Sequence, residues 1–197
     1  MSEKVLKTNV KELQEQLAKA HIRISELVTE LSRKQEALLD IAKIFSKTTQ
    51  KDVLLDEIIE VGSGHSTQIC LEAIKKNKEE SGIDTNLTCV EPYENKWLEK
   101  LGVNIIRKKI EDIDLDWHNE LNAGDILFID SSHIIRPQGD VLKIYFEIIP
   151  MLKRGVIVHI HDIFTPKNYL KTWVVDYLRF WNEQYLVESL LMNNNKL

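Results

Sequence analysis

The sequence lacks several features that would assign it to a particular class of protein. No apolar run is long enough to cross a bilayer, and the first residues, MSEKVLKTNV, lack the apolar core of a secretory signal. The net charge is -5 and no basic stripe stands out, which argues against a nucleic-acid ligand. The two cysteines, Cys70 and Cys89, have no CxxC spacing, so we interpret them as buried thiols. These absences predict a cytoplasmic protein with no membrane span.

Glycine and proline are missing from the N-terminal part, since no glycine precedes Gly62 and no proline precedes Pro92. This part carries an apolar heptad pattern with one exception, Lys34. We therefore predict that residues 1–50 form a long coiled-coil helix and a linker, and that the chain forms a homo-oligomer through this helix. Few complementary charges flank the pattern, so an amphipathic helix packed on its own chain remains the alternative. The apolar positions are Val10, Leu13, Leu17, Ala20, Ile24, Leu27, Leu31, Leu38 and Ile41.

The remaining chain alternates short apolar runs with segments of helical spacing, which is typical of a parallel sheet covered on both faces. The sequence therefore predicts that residues 51–197 form an α/β domain with a doubly wound, Rossmann-like, mainly parallel sheet. In such a sheet the fourth strand lies beside the first, and the fifth lies beside the fourth. The predicted strands are 58–61, 87–90, 103–106, 126–129 and 156–160.

Helical spacing is clearest in two segments between these strands, Thr67 to Lys78 and Val141 to Lys153. Gly155 follows the second segment and is interpreted as its C-terminal cap. The aromatic-rich stretch 169–192 is expected to be mostly helical.

The first motif with chemical content is IIEVGSGHST, in which a strand leads into a glycine turn. Gly62 and Gly64 would let backbone amides approach a ligand at the positive end of the following helix, where Ser66 and Thr67 are candidate caps. Thr67 replaces the third glycine of the dinucleotide fingerprint, which disfavours NAD. Glu60 precedes the turn and could hold a cationic ligand. Gly-x-Gly turns also occur without ligands, so the motif alone leaves both interpretations open.

Two acids follow the next strands. Glu91 ends the second strand, where a carboxylate can accept hydrogen bonds from both ribose hydroxyls of an adenosine-containing ligand. Asp112 follows the third strand and could meet an adenine amino group. A solvent-exposed loop acid remains the alternative for Glu91.

The ends of the fourth and fifth strands carry the sharpest feature. GDILFIDSSH puts Asp130 directly after a strand and His133 three residues later, and GVIVHIHDIF puts His161 and Asp162 after the next strand. Adjacent parallel strands would bring these side chains to one edge, within reach of a shared divalent cation. His159 alternates with His161 and is interpreted as a packing residue. The sequence therefore predicts a metal site beside the glycine turn.

Taken in order, the blocks EVGSGHST, CVEPYE, GDILFIDSSH, PMLKRGVIVHIHDIF and FWNEQYLV resemble the class I S-adenosylmethionine-dependent methyltransferases over about residues 56–190. Within that family the chain resembles the metal-assisted branch that includes macrolide-sugar and glycan O-methyltransferases. The resemblance implies that S-adenosylmethionine is the cofactor and that a small-molecule or glycan hydroxyl is the acceptor.

The resemblance also assigns roles to residues. Glu60, Gly62 and Gly64 would hold the methionine end of the cofactor, and Glu91 its ribose. Asp130 and Asp162 would ligate a magnesium-type ion, and His133 would be the base. With the residues singled out above, the predicted cofactor-binding residues are Glu60, Gly62, Gly64, Ser66, Glu91 and Asp112, and the predicted metal ligands are Asp130, His161 and Asp162.

Two other functions remain open at this point. Family members normally end their sheet with an antiparallel hairpin, and no residues for that pair follow NNNKL, so a coiled-coil interaction protein with a degenerate, inactive methyltransferase-like domain is the main alternative. The HIHD motif also suggests a metal-dependent hydrolase, but the further histidines of a zinc hydrolase are missing from it.

Overall fold

The computed structural model describes residues 55–93, 96–114, 120–192 and 194, together with three isolated N-terminal positions. The chain separates into two compact units, Met1–Thr49 and Gln50–Leu197. The three N-terminal positions, Gln16, Lys19 and Ile22, are helical and exposed, and none of them belongs to the apolar heptad stripe. The predicted coiled coil otherwise lies outside the described residues.

The second unit is built on five parallel strands in the order β3-β2-β1-β4-β5. This order confirms the predicted doubly wound sheet, with the first and fourth strands paired at its centre. Each predicted apolar run corresponds to one strand within a residue of its expected start. The strands are β1 (Glu57–Val61), β2 (Asn86–Val90), β3 (Asn104–Ile106), β4 (Ile126–Ile129) and β5 (Ile157–Ile160).

Burial along the sheet explains why these runs are apolar. All four residues of β4 are buried between β1 and β5, whereas the residues of β5 are only partly buried. Ile59 of β1 and Leu127 and Ile129 of β4 are at most 1% exposed and pack with Val141 and Ile144 from the following helical segment. A strand covered on both faces needs apolar side chains at consecutive positions, so the sequence shows runs rather than alternation.

In the ranges described for this unit, three α-helices accompany the sheet: α1 (His65–Ser81), α2 (Asp140–Lys143) and α3 (Glu183–Leu191). The helical segment that begins with α2 continues as a π-helical turn, Ile144–Ile148, and a 3₁₀ turn, Ile149–Met151. The prediction of Gly155 as its cap is wrong, because the segment ends at Met151. Gly155, with a φ of 95°, instead lies in the turn that leads into β5.

The stretch 169–192 is less helical than expected. It contains a single π-helical turn, Thr172–Asp176, and then α3, with irregular backbone between them. Edge-to-face ring contacts hold this backbone, for example Trp173 against Trp181 with ring centres 5.1 Å apart. In the described part of the chain no strand follows β5, and no helix has the length and apolar character needed to cross a bilayer.

Candidate active site

The glycine turn joins β1 to α1 and lies against the end of β4. Gly62 has a φ of 102°, and a Cβ built on it would lie 2.2 Å from the backbone oxygen of Asp130. Only glycine permits both this conformation and this approach. The Asp130 amide donates to the Val61 oxygen at 2.9 Å, so the turn and Asp130 are fixed side by side.

Gly64 has a different environment, because its φ of 170° suits any residue. A Cβ built there would meet nothing closer than the Ser66 hydroxyl at 3.9 Å, so open space lies over this side of the turn. The Gly64 amide donates to the Thr67 hydroxyl at 2.9 Å at the start of the 17-residue helix α1. The turn thus leaves room for a ligand at a helix N-terminus, and the contact of Gly62 and Gly64 with the methionine end of a cofactor stays a prediction.

Glu60 lies beneath the turn and is fully buried. One carboxylate oxygen accepts a hydrogen bond from the Ser66 hydroxyl at 2.6 Å and the other from the Thr67 hydroxyl at 2.7 Å. Burial outweighs these bonds and raises the pKa of Glu60 to about 7. Glu60 and Ser66 therefore brace the turn from below, and whether they also contact a cofactor remains a prediction.

Glu91 at the end of β2 is joined to the same turn. Its carboxylate accepts hydrogen bonds from the Ser63 hydroxyl at 2.7 Å and from the Tyr93 amide at 2.9 Å. Asp112 is exposed in the 3₁₀ turn Ile110–Asp112. Among the described residues no hydrogen bond or ion pair connects Asp112 to the glycine turn, so its predicted contact with adenine stays a prediction.

Asp130, His161 and Asp162 come together at the same edge of the sheet. One possible ligand atom from each side chain lies within 4.8 Å of the others. The parallel register causes this convergence, because the His161 amide donates to the Ile129 oxygen at 2.8 Å and so aligns the ends of β4 and β5. Asp162 adopts a left-handed φ of 55°, a conformation that costs energy in a residue with a side chain.

His159 of β5 and His161, directly after the strand, have buried ring nitrogens. The Nε2 atoms of His159 and His161 make no hydrogen bond within the described structure, although His161 Nε2 lies 3.4 Å from Asp162 Oδ1. His159 stacks on Phe128, and burial lowers the pKa of His159 to about 4, which agrees with a packing role. A buried imidazole nitrogen beside two carboxylates is a donor set that suits a divalent cation.

His133 is buried in the loop after β4, where it adopts a left-handed φ of 59°. Its Nδ1 lies 2.7 Å from Glu183 Oε2, and its Nε2 lies 3.4 Å from Asp130 Oδ1 and 3.9 Å from Asp162 Oδ2. Burial lowers the pKa of His133, but hydrogen bonds to Asp130 and Glu183 outweigh burial and raise it to about 9. Both hydrogen bonds therefore favour the protonated form of the imidazole.

Two residues that position His133 were not predicted from the sequence. Glu183, at the start of α3, is fully buried and also accepts a hydrogen bond from the Tyr145 hydroxyl at 2.9 Å. The Trp181 ring lies against His133, with ring centres 4.3 Å apart. An acid within an aromatic stretch, WNEQ, was the available signal, but nothing in the sequence placed that stretch against the loop after β4.

Comparison with known proteins identifies one family. A family model described as a methyltransferase domain matches residues 59–163, which is more than half of the chain and spans the glycine turn and the ends of β4 and β5. No curated protein and no solved structure matches the chain significantly.

Proposed function

The chain belongs to the methyltransferase domain family, and from this premise we propose that it transfers the methyl group of S-adenosylmethionine to a hydroxyl of a sugar or glycan precursor, aided by a divalent cation and His133. The observation that carries the proposal is the contact between the glycine turn and Asp130, since it joins a donor-binding turn to the acid cluster in one site. The proposal covers both halves of the reaction.

On the donor side, Gly62 and Gly64 leave the helix N-terminus open to the methionine end of the cofactor. Glu60 and Ser66 keep the turn in shape from below. Glu91 is assigned to the ribose, as the family resemblance implies, and Asp112 is assigned to the adenine because it follows the third strand. When bound, S-adenosylmethionine supplies a methyl group on a positively charged sulfur, which needs alignment with the acceptor more than activation.

On the acceptor side, Asp130, His161 and Asp162 would hold the cation, and magnesium is the ion that we propose. When bound, a divalent cation supplies Lewis acidity that lowers the pKa of a coordinated hydroxyl. The two carboxylates orient the acceptor toward the donor turn, because Asp130 follows β4 directly beside Gly62.

His133 is the proposed base, with Nε2 as the atom that takes the acceptor proton. Glu183 holds Nδ1, which turns Nε2 toward Asp130 and Asp162. Because the hydrogen bond to Asp130 favours the protonated ring, the base role requires a weaker contact between these two side chains than the one described here.

Calorimetry with S-adenosylmethionine, S-adenosylhomocysteine and NAD tests the donor side. We expect the first two compounds to bind and NAD not to bind. In Gly64→Ala a methyl group enters the open space over the turn without backbone strain, so we expect an unchanged melting temperature and affinity for S-adenosylmethionine at least about tenfold weaker.

Gly82→Ala is the matched control. Gly82 caps the other end of α1 with a φ of 76°, so alanine there should cost about 1 kcal/mol of stability and leave cofactor affinity unchanged. Binding of NAD alone would contradict the proposal. Binding of none of the three compounds would favour the degenerate, inactive interaction protein.

A further inference from the structure

Arg179 lies in the aromatic stretch beside the candidate active site, and the function proposed above does not use it. Its guanidinium carbon lies 4.7 Å from the centre of the Trp173 ring and 5.0 Å from the centre of the Trp181 ring. The Arg179 amide donates to the Trp173 oxygen at 2.9 Å, which fixes the backbone of the cluster formed by Trp173, Arg179 and Trp181, here called the clamp. Trp173 and Trp181 contact each other edge to face, with ring centres 5.1 Å apart, so the cation packs against this pair of rings.

The clamp is next to His133. Trp181 contacts both Arg179 and the His133 ring, and the centres of the Trp181 and His133 rings are 4.3 Å apart. The distance from the guanidinium carbon of Arg179 to the centre of the His133 ring is therefore at most the sum of their distances to the centre of the Trp181 ring. The amides of Asn182 and Glu183 both donate to the His133 oxygen, so the aromatic stretch is attached to the loop that carries His133.

The guanidinium has hydrogen-bonding capacity to spare. Within the described ranges no side chain or backbone oxygen accepts a hydrogen bond from the Arg179 guanidinium, and no carboxylate pairs with it. The ring contacts use none of the N–H donors of the guanidinium as hydrogen bonds to oxygen, and a planar fork of donors fits phosphate or carboxylate. Arginine at positions 107 and 136, by contrast, pairs with glutamate.

An acceptor of the proposed reaction would span both places. Its hydroxyl would lie at the cation proposed on Asp130 and Asp162, beside His133. The positive charge of Arg179 would then meet another part of the same molecule. An acceptor with a hydroxyl at one end and an anionic group at the other would satisfy both places.

We infer that Arg179, packed against Trp173 and Trp181, binds an anionic phosphate or carboxylate group of the hydroxylated acceptor. This inference rests on the proposed function, because it concerns the acceptor of that reaction. It narrows the substrate class to sugars or glycan precursors that carry a phosphate or an acidic substituent.

Titrations with small probes at constant ionic strength test the inference. The probes are inorganic phosphate, acetate, glucose, glucose 1-phosphate and glucuronate, and the readout is the indole N–H signals of the four tryptophans in NMR spectra. We expect saturable shifts with at least one of the two anion types and no such shift with glucose. Phosphate against acetate, and glucose 1-phosphate against glucuronate, distinguish the two sources of charge.

Arg179→Met keeps an apolar side chain against the two indole rings and removes the positive charge of the guanidinium. We expect it to weaken binding of the preferred anion at least about tenfold. Arg154→Met, at an exposed position before β5, removes the same charge and should bind like the wild type. Circular dichroism shows whether each variant is folded. If Arg179→Met does not fold, Arg179→Lys replaces it as the test variant, because lysine keeps the charge but loses the planar fork of donors. The wild-type titration tests the inference in either case.

The inference is overturned if no anion shifts the indole signals of the wild type. It is also overturned if Arg179→Met and the wild type bind the anion equally well, because Arg179 would then have only a structural role. Calorimetry with S-adenosylmethionine on the same samples separates the two proposals. If the wild type does not bind S-adenosylmethionine, the result counts against the methyltransferase function. If it binds S-adenosylmethionine but none of the anions, the result counts against the Arg179 site alone.

Discussion

Two aspartates border the same buried strand, β4, and their surroundings are opposite. Asp125 precedes the strand, and its carboxylate accepts hydrogen bonds from the backbone amides of Asp56, Glu57 and Asn122 at 2.7–3.0 Å. Asp130 follows the strand and faces His133 within a group of acids and histidines. The Asp125 carboxylate accepts hydrogen bonds from backbone amides, whereas the Asp130 carboxylate lies close to other titratable side chains.

The contrast separates stabilising residues from candidate catalytic ones. At the amino end of the sheet, Asp125 ties three segments together and lowers the energy of the fold. At the carboxyl end, His133 and Asp162 adopt left-handed backbone conformations, and His161 buries a ring nitrogen without a hydrogen bond. Strain and unsatisfied polar groups are retained where the surrounding fold imposes them, which is common at functional sites.

The largest expected effect is on cation binding at the carboxyl end. Asp130→Asn and Asp162→Asn should each weaken Mn²⁺ binding, measured by calorimetry, by about a thousandfold, because each removes a charged ligand. The melting temperature of Asp162→Asn should not fall, since the change relieves repulsion between neighbouring carboxylates. Asp130→Asn relieves the same repulsion but also weakens the contact with His133, so its melting temperature should be the lower of the two. Asp125→Asn is the control and should bind Mn²⁺ like the wild type; equal affinity in all four proteins would remove the proposed cation site.

The second effect is on stability at the amino end. Asp125→Ala leaves three backbone amides without their acceptor, so we expect the free energy of unfolding to fall by about 3 kcal/mol in urea titrations. Affinities for S-adenosylmethionine and Mn²⁺ should persist in the folded fraction. A stable Asp125→Ala protein that has lost either ligand would break the distinction between the two ends.

The third effect concerns Glu60, the buried acid beneath the turn, which faces Cys89 on β2, Cys70 on α1 and Asp130 after β4. The pKa of Glu60 is about 7 when folded and 4.5 otherwise, so between pH 4.5 and 7 the folded state binds more protons and stability falls as pH rises. Glu60→Gln does not ionise, so its stability relative to the wild type should rise by about 2 kcal/mol across this window. Urea titrations at pH 5 and 7.5 measure this change, and a difference independent of pH would contradict the raised pKa.

The smallest effect is at Asp84, which lies just before β2 at the amino end but is exposed. Its ion pair with Lys78 spans 2.6 Å, with both side chains more than half exposed. Asp84→Asn should change the free energy of unfolding by less than about 1 kcal/mol. A loss as large as that of Asp125→Ala would mean that burial does not decide which acids at this end stabilise the fold.

The sequence predicted the sheet because its signals are local. Buried strands require apolar runs, and the usual winding rule then placed the ends of β1, β4 and β5 side by side, which brought Gly62, Asp130 and Asp162 together as expected. Glu183 and Arg179 were not predicted as site residues. Their roles depend on how an irregular aromatic stretch packs on a distant loop, and no period in the sequence encodes that packing.

The irregular helical segments were also beyond sequence reasoning. Helical spacing was visible from Val141, but the change from α-helix to a π-helical turn and a 3₁₀ turn before Met151 depends on how Ile144 and Ile148 fit the core. Spacing alone does not distinguish these forms, so the end of the segment was misplaced toward Gly155.

The most direct test of the central claim uses S-adenosylmethionine labelled with ¹³C on the transferable methyl group. If the glycine turn and the acid cluster form one site, Mn²⁺ bound at Asp130 and Asp162 should strongly broaden the methyl signal of the bound cofactor. The broadening should disappear in the Asp130→Asn/Asp162→Asn double variant with the cofactor still bound. A methyl signal that stays sharp in the wild type at saturating Mn²⁺ would contradict the account, because donor and cation would then occupy separate places.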